Sequence, residues 1–162
     1  MDFKLLAEDA KKQAKEYKLF FKNLRKNQLR ELDDEVHAIH QEVFEDFDCL
    51  TCANCCRTLG PRITYKDIEK MAVGLRIKAA EVEARYLRID EDDDYVFKTM
   101  PCPFLMSDNY CSIYEHRPKA CREYPHTDRK KFYQLHQLTI RNSETCPAVA
   151  IILKRLKEEF TR

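Results

Sequence analysis

Apolar side chains recur every three or four positions through the first 47 residues. They run Phe3, Leu6, Ala10, Tyr17, Phe20, Phe21, Leu24 and, after Arg25-Lys26-Asn27-Gln28, restart as Leu29, Leu32, Val36, Ile39, Val43, Phe47. That spacing draws one apolar stripe along a helix. The polar interruption shifts its phase, which predicts two helices broken near Asn27, a hairpin or a bent arm. One continuous helix is the alternative. The stripe needs a surface to cover it, either its own chain or a protein partner docked on the N-terminal helices.

Farther along, the pattern is shorter and more broken. Thr64-Tyr65-Lys66-Asp67 fits a capping box with Asp67 in place of the usual glutamate. A short helix follows through Ile68 and Met71, with Gly74 as its expected C-terminal cap. A second helix is expected at about Lys78 to Leu87, a solvated acidic turn at Glu91-Asp92-Asp93-Asp94, and a short strand at Tyr95-Val96-Phe97-Lys98. Phe132 to Ile140 alternates weakly and reads as extended. Pro147 holds the favoured first position of a last helix reaching Phe160. The predicted fold class is mainly α, a small helical domain with an irregular cysteine-rich metal-binding core and an N-terminal helical hairpin or arm. The predicted division is an arm at 1–47 and a cysteine-cluster domain at 48–162.

Charge and glycine content remove several classes of function. The 29 basic and 28 acidic residues leave a net charge of +1, which argues against nucleic acid as a partner. Two glycines, Gly60 and Gly74, cannot build a phosphate-cradling loop. The stretch Met1-Asp2-Phe3-Lys4-Leu5-Leu6-Ala7-Glu8-Asp9 carries acids and no continuous apolar run. It does not read as a secretory signal, and no run is long enough to span a bilayer. A cytoplasmic location with no membrane partner is therefore expected, where thiols stay reduced.

Eight cysteines in a reducing compartment point to metal. Four fall within Cys49-Leu50-Thr51-Cys52-Ala53-Asn54-Cys55-Cys56; Cys111 and Cys121 bound a second cluster; Cys102 and Cys146 each precede a proline. All eight are candidate ligands. Cys49, Cys52 and Cys55 repeat the C-x2-C-x2-C spacing of bacterial ferredoxins, with Cys102 or Cys146 as the proline-flanked fourth ligand. That favours a four-iron (4Fe-4S) iron–sulfur cluster. Zinc takes the same thiolates and also uses C-x2-C, so zinc stays open. Adjacent residues point their side chains apart, so Cys55 and Cys56 are not expected on one ion. Cys56 then serves a neighbouring ion, bridges two, or is a reactive thiol.

Arg57, Arg117 and Arg122 stand beside ligand candidates. Arg117 and Arg122 in particular are placed to neutralise thiolate charge and to donate hydrogen bonds to sulfur. His116 and His126 could replace a thiol. His37, His40 and His136 read as ordinary surface side chains. No catalytic acid, base or substrate pocket is identifiable, so enzymatic activity stays undecided, with redox chemistry of a cluster as the one route to it.

Taken in order, the motifs are Cys49-x2-Cys52-x2-Cys55-Cys56, Pro101-Cys102-Pro103-Phe104-Leu105 and Tyr110-Cys111-Ser112-Ile113-Tyr114-x-x-Arg117-Pro118-x-x-Cys121-Arg122-x-Tyr124-Pro125. This series resembles the CxxCxxCC cysteine-cluster family, described as zinc- or iron-chelating and in part as iron–sulfur proteins. The resemblance covers about residues 49–147 and leaves out the arm. Asn54 stands where that family often has glycine, and asparagine also tolerates the left-handed conformation. The resemblance implies metal binding and supplies no reaction. The expected function is a cytosolic metal-binding protein holding an iron–sulfur centre in an electron-transfer, redox-sensing or structural role. The alternatives are a structural or metal-carrying zinc protein, and a metal-stabilised helper module for a protein partner.

Overall fold

The computed structural model describes residues 3–161, and of Phe3 the backbone alone. Among the described residues are eight α-helices, one two-stranded sheet and three short 3-10 turns, so the fold is mainly α. Packing gathers them into two units. A helical unit holds the residues through Asp48 and those from Pro125 onward; a cysteine unit holds Cys49–Tyr124. The C-terminal segment thus groups with the N-terminal helices, where the predicted division at 47/48 kept it with the cysteines.

In the helical unit, α1 (Phe3–Asn23) and α2 (Lys26–Asp46) are separated at Leu24-Arg25, slightly ahead of the expected break. Gln28 fixes the break. Its side-chain oxygen accepts the Arg25 N–H at 3.0 Å, and its amide donates to the Phe160 carbonyl at 3.2 Å. Phe160 belongs to the last helix, α8 (Pro147–Thr161), which follows α7 (His136–Ser143). The stripes of α1 and α2 are buried against these helices in one core, with Tyr17, Phe21, Leu32, Val36, Ile152 and Leu153 fully enclosed. The chain's own helices therefore cover the stripe.

The segment from Phe132 to Ile140 is not extended. Phe132–Leu135 forms a 3-10 turn that runs into α7. Asp33 on α2 accepts the N–H groups of Lys131 and Phe132 at 2.6 and 2.8 Å. Phe132, Thr139, Ile140 and Ser143 are buried, a helical spacing that the weak alternation concealed. No helix among the described residues is long and apolar enough to cross a membrane.

In the cysteine unit, α4 (Tyr65–Leu75) and α5 (Ala79–Tyr86) lead into β1 (Leu87–Ile89). This strand pairs antiparallel with the expected β2 (Tyr95–Phe97), Leu87 opposite Phe97. Its three residues follow α5 without a break, too short a run to show alternation. Ile68, Met71, Val82, Phe97, Phe104 and Ile113 form the core. The Thr64–Asp67 capping box is present at the start of α4. Gly74 does not cap the other end. The helix continues through Leu75, and Arg76 takes the left-handed conformation at φ 57°. Gly74 instead makes room for His116, whose Cγ would lie 2.6 Å from a Cβ at that position.

Candidate metal centre

Cys49–Thr51 is a single 3-10 turn whose first carbonyl accepts the N–H groups of Cys52 and Ala53, at 3.1 and 2.8 Å. The left-handed residue of this loop is Ala53 (φ 48°), and Asn54 begins the short helix α3 (Asn54–Thr58). Cys49 therefore starts the turn, Cys52 follows it and Cys55 lies on α3, Cys49 exposed and the other two half-buried. Cys55 and Cys56, neighbours on α3, are joined by a side-chain hydrogen bond. A helix separates successive side chains by about 100°, which leaves these two thiols within reach of each other.

Three cysteines distant in sequence feel the charge of Cys56. The Cys102 N–H donates to the Cys56 carbonyl at 2.9 Å and stitches that segment to α3. Leu105 then bridges to Cys111, and the Ser112 N–H donates to the Phe104 carbonyl at 2.9 Å. At the tip of this loop, Asn109 takes the left-handed conformation (φ 66°). Its amide donates to the Leu50 carbonyl at 2.6 Å, and its oxygen accepts from Arg57. The loop is thereby tied at both ends to the cysteine turn. Beyond the 3-10 turn Tyr114–His116, Cys121 sits on α6 (Lys119–Glu123).

The charges of these thiols couple. Burial pushes Cys121 up to about 12, aided by the charges of Cys102, Cys56 and Cys111 and opposed by Arg117. Burial pushes Cys102 up to about 11, with Cys56 and Cys111 adding to it, while the N–H groups of Phe104 and Leu105 donate to its sulfur and oppose it. Cys111 is raised for the same first reason, and Ile113 N–H and Arg117 resist. Cys56 goes the other way, to about 7. Its hydrogen bond with Cys55 outweighs burial, and Arg57 and Arg117 assist. Backbone N–H groups directed at sulfur, as at Cys102 and Cys111, favour the thiolate.

Arg117 is where a neutralising cation is expected. Its Nη1 donates to the Tyr114 carbonyl at 2.6 Å, its guanidinium lies 3.7 Å over the Tyr114 ring, and its charge reaches Cys56, Cys111 and Cys121. Arg122 donates to the Arg117 carbonyl and its charge acts on Asp67, so it supports Arg117 from behind. His116 packs on Gly74. His126 lies in the helical unit in a left-handed conformation (φ 68°). His37 meets the Arg129 carbonyl at 3.1 Å, His40 meets the Thr127 hydroxyl at 2.7 Å, and His136 meets the Tyr133 carbonyl at 2.6 Å.

Cys146 has the helix-capping place that its proline predicts. Its N–H donates to the Asn142 carbonyl at 2.7 Å, and its carbonyl accepts the first bond of α8 from Ala150 at 3.1 Å. Its half-buried side chain packs on the apolar core of the helical unit. Asp67, which spacing marked only as a cap, proves to reach Lys119 as well, at 2.8 Å.

Among the described residues, no three His, Cys, Asp or Glu side chains already form a group that could hold an ion. The donor chemistry of Cys56, Cys102, Cys111 and Cys121 nevertheless fits zinc or iron. Four soft sulfurs interact, with Arg57 and Arg117 beside them. Four thiolates on a divalent ion or a doubly charged cluster leave two negative charges, which two guanidiniums balance.

No solved structure matches the chain. An uncharacterized protein of Methanocaldococcus jannaschii is 34% identical over 84 residues, covering 50% of this chain. The match spans 45% of the length of that relative. The family model for CxxCxxCC, described as a "putative zinc- or iron-chelating domain", matches residues 48–147. That range holds all eight cysteines and more than half the sequence, and the chain belongs to the CxxCxxCC family.

Proposed function

We propose that this protein holds a metal centre on the thiolates of Cys56, Cys102, Cys111 and Cys121, and that its occupant is a four-iron cluster. The observation that carries this is the backbone stitching of Cys102 to Cys56 and of Leu105 to Cys111, supported by the charges that Cys56, Cys102 and Cys111 exert on Cys121 with Arg117 opposing them. Bound there, a cluster supplies one-electron redox chemistry. The protein's own part is to orient sulfur through the N–H groups of Phe104, Leu105 and Ile113 and to offset charge through Arg117. Four soft thiolates with guanidinium charge beside them suit such a cluster, and the location proposed is cytoplasmic.

A second reading has its own observation. Cys49, Cys52 and Cys55 lie within seven residues that run from the 3-10 turn into α3, the spacing of ferredoxin-like ligation, and would form a second centre or replace Cys56 in the first. Anaerobic reconstitution of serine variants separates them. Loss of bound iron and sulfide in Cys102→Ser, Cys111→Ser and Cys121→Ser, with retention in Cys49→Ser, supports the four-segment centre. The reverse pattern supports the turn. Stoichiometric zinc without sulfide in an anaerobic preparation assigns the site to zinc.

A further inference from the structure

Helix α4 carries no cysteine, yet its two ends hold the segment that carries Cys111 and Cys121. At the N-terminal end, Asp67 is buried and both its oxygens are occupied. Oδ2 accepts the Thr64 N–H at 3.0 Å and the Thr64 hydroxyl at 2.7 Å, which closes the cap of α4. Oδ1 accepts the Lys119 N–H at 2.8 Å, from 52 positions away. Lys119 is the first residue of α6, whose opening N–H groups have no partner within the helix. One carboxylate therefore caps two helices, and the second carries Cys121. At the other end of α4, Gly74 admits His116. A Cβ there would lie 2.6 Å from His116 Cγ and 2.8 Å from its Cβ, atoms too near the backbone to swing aside.

We infer that Asp67 is a positioning residue of the metal centre, fixing the Cys111–Cys121 segment before metal arrives, with the Gly74–His116 contact locking the same segment. The inference rests on Cys121 being a ligand. A carboxylate is required and an amide does not suffice. Three donors converge on two oxygens, whereas asparagine offers one acceptor oxygen and turns N–H groups toward a donor. A ligand held in place before binding spares the ordering cost at binding and raises affinity.

The experiment titrates the full chain, reduced, with zinc alone against a chromophoric chelator, and measures alkylation of individual thiols in the metal-free state. Thr64→Ala removes the hydroxyl's part of the α4 cap while leaving the Thr64 and Lys119 N–H bonds to Asp67, and serves as the stability control. Asp67→Asn is expected to weaken zinc binding by about tenfold or more, and Thr64→Ala by less than about threefold at a similar loss of melting temperature. Asp67→Asn should also speed alkylation of Cys121 relative to Cys102. Unchanged zinc affinity and an unchanged alkylation ratio overturn the inference. If Asp67→Asn does not fold, Gly74→Ala should produce the same two changes and His116→Ala should reverse them; Gly74→Ala with neither change overturns it. Zinc binding lost in Cys121→Ser but kept in Asp67→Asn sinks the positioning role alone. Zinc binding kept in Cys121→Ser sinks the ligand assignment itself.

Discussion

The helical unit and the cysteine unit reach stability by different means. In the first, four long or medium helices bury Tyr17, Phe21, Leu32, Val36 and Leu153 in one apolar core. In the second, a smaller core around Ile68, Met71 and Phe104 lies beside four thiols, and the chain from Cys102 to Tyr124 runs mainly through turns. Three of those thiols are held away from ionisation by burial, Cys121 most of all. A thiol that is buried and must ionise to bind metal adds little to stability until the metal comes. The comparison therefore predicts one unit that depends on its metal and one that does not.

Removing the metal should break the comparison most widely. Structural thiolate sites contribute on the order of 10 kcal/mol of apparent folding free energy. Strong chelation should loosen residues 49–124, lowering their protection without abolishing the core around Ile68 and Met71, while α1, α2, α7 and α8 keep theirs, which hydrogen exchange read by mass spectrometry resolves segment by segment. Uniform protection before and after chelation would remove the distinction. The converse is Leu153→Ala, a large-to-small change in the fully buried core of the helical unit. It should cost about 3 kcal/mol, lower the melting temperature of that unit, and leave bound metal unchanged.

Gly74→Ala is a smaller test with a telling sign. In an ordinary helix interior this change stabilises by about 1 kcal/mol. Here the new Cβ meets His116, so it should destabilise by about 1 to 3 kcal/mol, as overpacking does. The double variant with His116→Ala should recover most of that loss in a denaturant titration, since the clash needs both side chains.

Acid should act on the metal-free units in different windows. In the helical unit, burial lowers His40 despite the opposing charge of Asp128. Its unfolded form binds the proton more readily, so stability falls as pH drops through about 6.5. In the cysteine unit, burial would raise Asp67, but the Thr64 and Lys119 hydrogen bonds and the charge of Arg122 outweigh it and hold the carboxyl low. Its contribution is complete above the ordinary carboxylate range and is lost only as pH falls below about 4. Denaturant midpoints followed by hydrogen exchange should show the helical unit weakening first, and His40→Gln should flatten that phase.

Periodic features were legible without the structure. The stripes of α1 and α2, the Thr64 cap and Pro147 at the head of α8 depend on neighbours within a turn or two, and their spacing shows them. What depended on distant partners was hidden. Phe132–Ile140 read as extended because its helix start is held by Asp33, far away in sequence. Gly74 read as a cap because His116 could not be seen beside it. At the candidate metal centre, the cysteines were legible as candidate ligands and their neighbours in the fold were not. Spacing joined Cys49, Cys52 and Cys55, whereas the backbone bond from Cys102 to Cys56 and the mutual charge influence of the thiols relate Cys56 to Cys102, Cys111 and Cys121. Arg117 stood where its motif placed it, while Arg122 turned out to brace Arg117 and Asp67.

The most direct measurement is iron, zinc and sulfide content, with the visible spectrum, of anaerobically prepared wild type beside Cys56→Ser, Cys102→Ser, Cys111→Ser, Cys121→Ser and Cys49→Ser. The account predicts about four irons and matching sulfide in wild type, with loss in each of the first four variants and retention in Cys49→Ser. Full iron and sulfide in the Cys102, Cys111 and Cys121 variants, with loss in Cys49→Ser, would contradict it.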